Sequence, residues 1–185
     1  MTNGILRVPT PTNEPIQAYM PGSAERQALK QQLQQTLAAQ VEIPIIIGGE
    51  ALYTGNTTAV TCPHDHGHVL ALAHQAGSAE VTRAVEVACE AWHTWSEMPW
   101  EARAAVFLKA AELLAGPWRQ RLNAVTMLNQ SKTVFKAEID AACELIDFCV
   151  SILPICSNCT LSNLARRVVS GIMRSIGPWK VLCSQ

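Results

Sequence analysis

The sequence predicts a mainly α-helical chain that carries a few short antiparallel strands. Three observations predict it. From about Trp100 to Phe148 apolar residues recur at helical spacing: Phe107, Ala110, Ala111 and Leu114, then Leu122, Val125 and Leu128, then Ile139, Ala142, Leu145 and Ile146. A second stripe, Val81, Val85, Ala88, Trp92 and Trp95, is spaced by four, three, four and three. Between Ile43 and Ala73, β-branched runs alternate with glycine-centred turns. A chain of 185 residues is long enough to bury a core of its own.

Residues 1–22 form the first segment. They hold Pro9, Pro11, Pro15 and Pro21, which makes them an extended arm that must lie on something else to be ordered. Ser23 is the expected N-cap of a helix over Ala24 to Ala39, with Glu25 in the first turn favoured by the helix dipole. The apolar stripe of that helix is thin (Ala28, Leu29, Leu33, Leu37), so it belongs at the surface. Ile43 to Ile47, interrupted by Pro44, then Ala51 to Tyr53, Thr57 to Thr61 and Val69 to Ala73 read as short strands. Turns fall at Gly48-Gly49 and Gly55-Asn56.

Ser78 caps the helix of the Trp92 stripe, and Pro99 stops it. Four tryptophans, Trp92, Trp95, Trp100 and Trp118, could form a stacking platform, but their helical spacing favours packing between helices. Gly116-Pro117 separates the next two helices, because glycine ends a helix cheaply and proline is tolerated in a first turn.

Charge excludes some partners. With 14 basic against 15 acidic residues and no basic run, neither nucleic acid nor an anionic membrane is expected. No stretch approaches the ~18 to 20 apolar residues needed to span a bilayer. The N-terminus has neither a signal-peptide nor a transit-peptide pattern, so a cytoplasmic protein is expected. Seven cysteines, an odd number, fit reduced thiols better than a disulfide framework.

Two local clusters invite metal readings. His64, His66 and His68 alternate, as metal ligands on one side of a strand would, and Asp65 could add an oxygen; the surrounding Pro and Gly describe a turn instead, which is the expectation. Cys156-Ser-Asn-Cys159 supplies two of the four ligands a structural zinc needs, and no second pair follows. No metal site is expected. Glu138 is singled out because a carboxylate on an Ala-rich, apolar helix is costly to bury unless it meets a cation or donors. The alternative is a solvated acid, as is expected of Asp140, Glu144 and Asp147.

The wording of several runs carries a resemblance. Phe107-Leu-Lys-Ala-Ala-Glu-Leu-Leu-Ala-Gly-Pro117, Met127-Leu-Asn-Gln-Ser-Lys-Thr133 and Ala137-Glu-Ile-Asp-Ala-Ala-Cys-Glu-Leu-Ile-Asp-Phe148 resemble the N-terminal helices of the aldehyde dehydrogenase superfamily. Within it they resemble the 1-pyrroline-5-carboxylate (L-glutamate γ-semialdehyde) dehydrogenases. The resemblance covers about residues 1–148. It implies an α/β parent fold, of which this chain is an incomplete portion, with residues 23–148 forming the early strands and helices of the cofactor domain. It also implies an NAD-dependent oxidoreductase of proline degradation, of bacterial type, that assembles as a homo-oligomer. Glu138 then corresponds to the family glutamate that faces the α-amino group of glutamate semialdehyde.

The same resemblance implies what is missing. The thiolate nucleophile, the glutamate base and the dinucleotide site lie C-terminal to the matching part, and no cysteine here stands in the catalytic context. The chain alone is expected to be inactive and to bind no NAD. Residues 149–185 change character: they lack Asp and Glu and hold four of the cysteines, Cys149, Cys156, Cys159 and Cys183. Codons for Cys156 to Leu164, read one base out, can spell Leu-Gln-Gln-Leu-Tyr-Ala-Glu-Gln-Pro, a family-like run. The tail is therefore read as a shifted frame, outside the family, poorly ordered and prone to aggregate. The rival readings are a non-catalytic helical interaction module and, third, a Cys/His metal-binding protein.

Overall fold

The computed structural model describes residues 10–151. Residues 1–9 and 152–185, with Cys156, Cys159, Cys183 and most of the tail discussed above, lie outside the described residues. The arm from 10 to 20 has no regular secondary structure, as Pro11 and Pro15, which lack an N–H, dictate. A turn at Pro21-Gly22, where Gly22 has φ 84°, leads into α1 (Ala24–Ala38). The Ser23 hydroxyl caps it by accepting the Arg26 N–H at 3.4 Å. One line of side chains ties α1 down: buried Leu29 packs with Tyr19 of the arm and Ala124, and Leu33 packs beside it. Ala28 and Leu37 stay exposed.

Pro44 splits the predicted Ile43–Ile47 run into β1 (Val41–Ile43) and β2 (Ile45–Ile47), which join different sheets. β2 pairs antiparallel with β3 (Glu50–Leu52). The two-residue turn between them needs positive φ twice, and Gly48 (61°) and Gly49 (83°) supply it. β4 (Thr57–Cys62) and β5 (Asp65–His74) form a second antiparallel hairpin. One pairing departs from the antiparallel expectation, since β1 runs parallel to β5. His74 fastens that edge: its Nε2 lies 2.8 Å from Glu42 of β1, and its Nδ1 accepts the Gly55 N–H at 3.1 Å. Accepting there fixes the proton on Nε2, which therefore donates to Glu42. Cys62 and Leu70 turn inward against Leu128 and Leu33.

Pro63 and His64 form the tight turn of the second hairpin, while His66 and His68 stand on β5 with His66 exposed. Among the described residues, no three His, Cys, Asp or Glu side chains converge to hold a metal ion.

α2 (Ser78–Glu97) begins one residue from the predicted cap. Gly77 is the N-cap, and its N–H is taken by the Glu80 carboxylate at 2.7 Å. The Trp92 stripe is not core, contrary to the expectation. Val81, Val85, Trp92 and Trp95 are 56%, 59%, 43% and 38% exposed, and α2 has no buried residue. The helix meets the β2–β3 hairpin through another side, where Val87 lies against Gly48. Periodicity identified an apolar face correctly but not what, if anything, covers it. Trp118 is likewise exposed, with the Arg121 guanidinium 4.9 Å above its ring.

α3 (Trp100–Ala115) ends at Gly116, and α4 (Arg119–Gln130) follows. α4 buries Arg119, Asn123, Ala124, Thr126 and Leu128, whereas Val125 from the predicted stripe faces out. α5 (Val134–Ala137), capped by Thr133, runs straight into a π-helical turn, Glu138–Cys143, and on through residues 144–151 as α-helix. No described helix is long and apolar enough to cross a membrane.

Candidate functional site

α4, the π-helical turn and the arm converge on one carboxylate. Glu138 has no solvent exposure, so it is not a solvated helix-face acid. Asp140 and Glu144 are exposed as expected, while half-buried Asp147 accepts the Glu14 N–H at 2.6 Å. The π-helical turn explains the convergence. Its i→i+5 bonding brings residues five apart towards one side, where an α-helix would splay them. Glu138 Oε1 and Cys143 Sγ therefore lie 3.8 Å apart, and a single Arg119 nitrogen reaches both.

Arg119 stands in the first turn of α4 and is itself buried. Its Nη2 donates to Glu138 Oε1 at 2.5 Å and to the Pro15 carbonyl at 2.7 Å, and its Nε donates to Glu138 Oε1 at 3.1 Å. Nη1 pairs with Glu14 of the arm. Asn123, one turn along α4, donates from Nδ2 to Glu138 Oε2 at 2.7 Å and to Tyr19 Oη at 2.9 Å. Tyr19 donates its phenol proton to Oε2 at 2.8 Å, and the Gln17 N–H reaches Oε1 at 2.8 Å. The carboxylate oxygens are saturated. The Asn123 Oδ1 is buried and has no partner among the described residues; turning the amide over would aim it at Glu138, so the neighbouring carboxylate fixes it as the orphan.

Burial pushes the Glu138 carboxyl up, but bonds from Arg119, Gln17, Tyr19 and Asn123 outweigh it and hold the group below its ordinary range. Burial, reinforced by Glu138, pushes the Tyr19 phenol up to about 12. Burial opposes the charge of Arg119, yet Glu138 and Glu14 more than compensate and fix its proton. Burial and the adjacent Glu138 charge raise the Cys143 thiol, so it is a poor nucleophile. The cluster is a charge-paired, water-excluding anchor.

Of this constellation the sequence singled out Glu138 alone. Arg119, Asn123, Tyr19, Glu14 and Gln17 were missed. The signal that could have found two of them is Arg119 and Asn123 one turn apart on the same face of α4, a charge and an amide stacked where they can serve one partner.

A profile of the aldehyde dehydrogenase family matches residues 52–183, and the chain belongs to that family. It is 43% identical over 145 residues to a delta-1-pyrroline-5-carboxylate dehydrogenase of Agaricus bisporus, covering 77% of this chain and 26% of that protein. It is 44% identical over 141 residues to the mitochondrial delta-1-pyrroline-5-carboxylate dehydrogenase of Dictyostelium discoideum, covering 76% and 25%. The fold superposes on the Mycobacterium tuberculosis delta-pyrroline-5-carboxylate dehydrogenase, solved with NAD and cobalamin, with a TM-score of 0.79 and 40% identity. That match covers 96% of this chain and 32% of the other. The chain thus spans about a quarter of the length of its curated relatives.

Proposed function

We propose that this chain is the N-terminal portion of an NAD-dependent L-glutamate γ-semialdehyde (1-pyrroline-5-carboxylate) dehydrogenase that serves proline degradation. The observation that carries the reading is the 43% identity over 145 residues to a protein of that activity, in a chain of the same fold. The whole enzyme's chemistry needs a thiolate to attack the aldehyde and a base to activate water, while NAD supplies the hydride acceptor. In this reading Glu138 receives the substrate's α-ammonium group. Its oxygens are already met by Arg119, Gln17, Tyr19 and Asn123, so the contact requires one of those donors to give way.

The described residues do not fit a dinucleotide. The one strand-to-helix turn among them, from His74 to Ser78, has a single glycine, and the Glu80 carboxylate occupies the Gly77 N–H that a pyrophosphate would need. No step is therefore assigned to NAD on this chain. We place the protein in the cytoplasm, a reducing compartment that suits its four free described thiols, Cys62, Cys89, Cys143 and Cys149. In this reading the complete enzyme of the family is a homo-oligomer. The family match reaches residue 183, beyond the boundary drawn at 148; sequencing the coding DNA across codons 146–186 tests the shifted-frame reading, which fails if no other frame restores a long family-like run.

Two assays test the function. The purified chain, given glutamate semialdehyde and NAD, is expected to form no NADH, and steady turnover would overturn the reading. A hybrid in which residues 10–148 replace the matching part of the Mycobacterium tuberculosis enzyme is expected to oxidise glutamate semialdehyde. A folded but inactive hybrid would overturn it too.

A further inference from the structure

We infer that residues 14–19 form a strap closed by a single buried latch, the Glu138–Arg119 pair, and that the strap opens as a unit while the helical body stays folded. The arm's bonding carries this. Among the described residues its backbone makes no hydrogen bond to the backbone of the body. Its anchors are side chains, and they concentrate on two residues. Arg119 holds Glu14 and the Pro15 carbonyl, while Glu138 holds the Gln17 N–H and the Tyr19 phenol. Further ties flank them: Asp147 accepts the Glu14 N–H, Gln120 meets both Gln17 Oε1 and the Tyr19 phenol, Asn123 donates to the Tyr19 phenol, the Cys143 thiol faces the Pro15 carbonyl, and Arg26 donates to the Tyr19 carbonyl.

Strain at the strap's end points the same way. Tyr19 sits at φ 51°, a left-handed conformation that bulky residues rarely adopt. The bonds from its phenol oxygen to Glu138 and Asn123 hold it there. Opening relieves that strain, and Gly22, at φ 84° with open space around it, provides the pivot before α1. Helix bonds within α4 and along the α5 segment do not pass through the arm, so they survive its release.

The same geometry sets strap closure in competition with ligand binding at Glu138. Of the four residues whose donors a cation would have to displace at that carboxylate, Gln17 and Tyr19 belong to the strap, while Arg119 is the latch itself and Asn123 also holds the Tyr19 phenol.

Hydrogen exchange on the full chain tests this, comparing wild type with Glu138→Gln and with Gln17→Pro. The first substitution removes the latch charge. The second deletes two ties from the strap's side, the Gln17 N–H to Glu138 and the Gln17 Oε1 that Gln120 meets, and changes no residue of the body, which keeps the test decisive if Glu138→Gln fails to fold. In wild type the Glu14 and Gln17 amides are expected to be at least tenfold less protected than the core amides of α4, and the Glu14 amide is expected to lose protection a further tenfold in each folded variant, whose helical circular dichroism is unchanged. Unchanged strap protection would overturn the latch. Equal protection of the strap and α4 amides in wild type would overturn the independence of the two parts.

Discussion

Glu138→Ala puts the largest number at stake. The carboxylate is fully buried, and its partner Arg119 is nearly so. Breaking a buried pair by removing one member leaves an uncompensated charge and costs about 3–5 kcal/mol. The Gln17 N–H, the Tyr19 phenol and Asn123 Nδ2 each lose an acceptor as well, at about 1–3 kcal/mol apiece if nothing replaces it. These losses do not add. Glu14 remains on Arg119, and water enters the vacated space. The strap also sets a ceiling: once it opens, Arg119 is hydrated and no further cost accrues. The expected net loss is therefore about 3–5 kcal/mol rather than the sum. At roughly 2–4 °C per kcal/mol for a chain of this size, the melting midpoint falls by roughly 6–20 °C. Urea denaturation followed by circular dichroism reads the free energy directly. A loss below about 1 kcal/mol is what a solvated surface pair would give, and it would refute the argument that this carboxylate is buried and paired.

Four further outcomes are expected. Because Glu138 is held below its ordinary value of 4.5, its contribution is complete above that value and is lost as pH falls through the lower folded value; an acid melt of wild type should lose stability there, and Glu138→Gln should flatten that limb. At the alkaline end, Tyr19 favours its protonated form when folded. Its contribution is complete below 10.0 and fades as pH rises through about 12, which phenolate absorbance compared with Tyr19→Phe will show. Gly48→Ala should cost about 1–2 kcal/mol for the left-handed backbone and more for a Cβ that meets Val87 at 3.1 Å, whereas Gly49→Ala, with nothing within 4 Å, reports the backbone alone; equal losses in thermal melts would sink the Val87 contact. Trp92→Ala and Trp95→Ala should each change stability by no more than about 0.5 kcal/mol, as exposed positions do, where a core tryptophan would cost about 3–5 kcal/mol.

What the sequence revealed and what it hid divide along the range of the interactions. The Gly48-Gly49 turn, the Ser23 cap and the break at Gly116-Pro117 are set within a few residues, and each stands where the residues place it. The parallel pairing of β1 with β5 joins residues 30 apart and has no local signature. Glu138 could be singled out because a lone acid among alanines is anomalous, but its partners Gln17 and Tyr19 lie 121 and 119 residues away. The π-helical turn that brings Glu138 and Cys143 together leaves no mark in the apolar period either. α4 was misread for a related reason. Counting apolar residues selected Leu122 and Val125, whereas the face that is buried carries Arg119 and Asn123 because their charge and amide are neutralised by distant parts of the chain. α2 shows the converse error. Its stripe is apolar, yet among the described residues nothing buries it, and the relative and the superposed structure it matches are about three times as long. An apolar period thus reports a demand for cover, and a polar residue in register reports a partner; neither says how far along the chain, or on which chain, the answer lies.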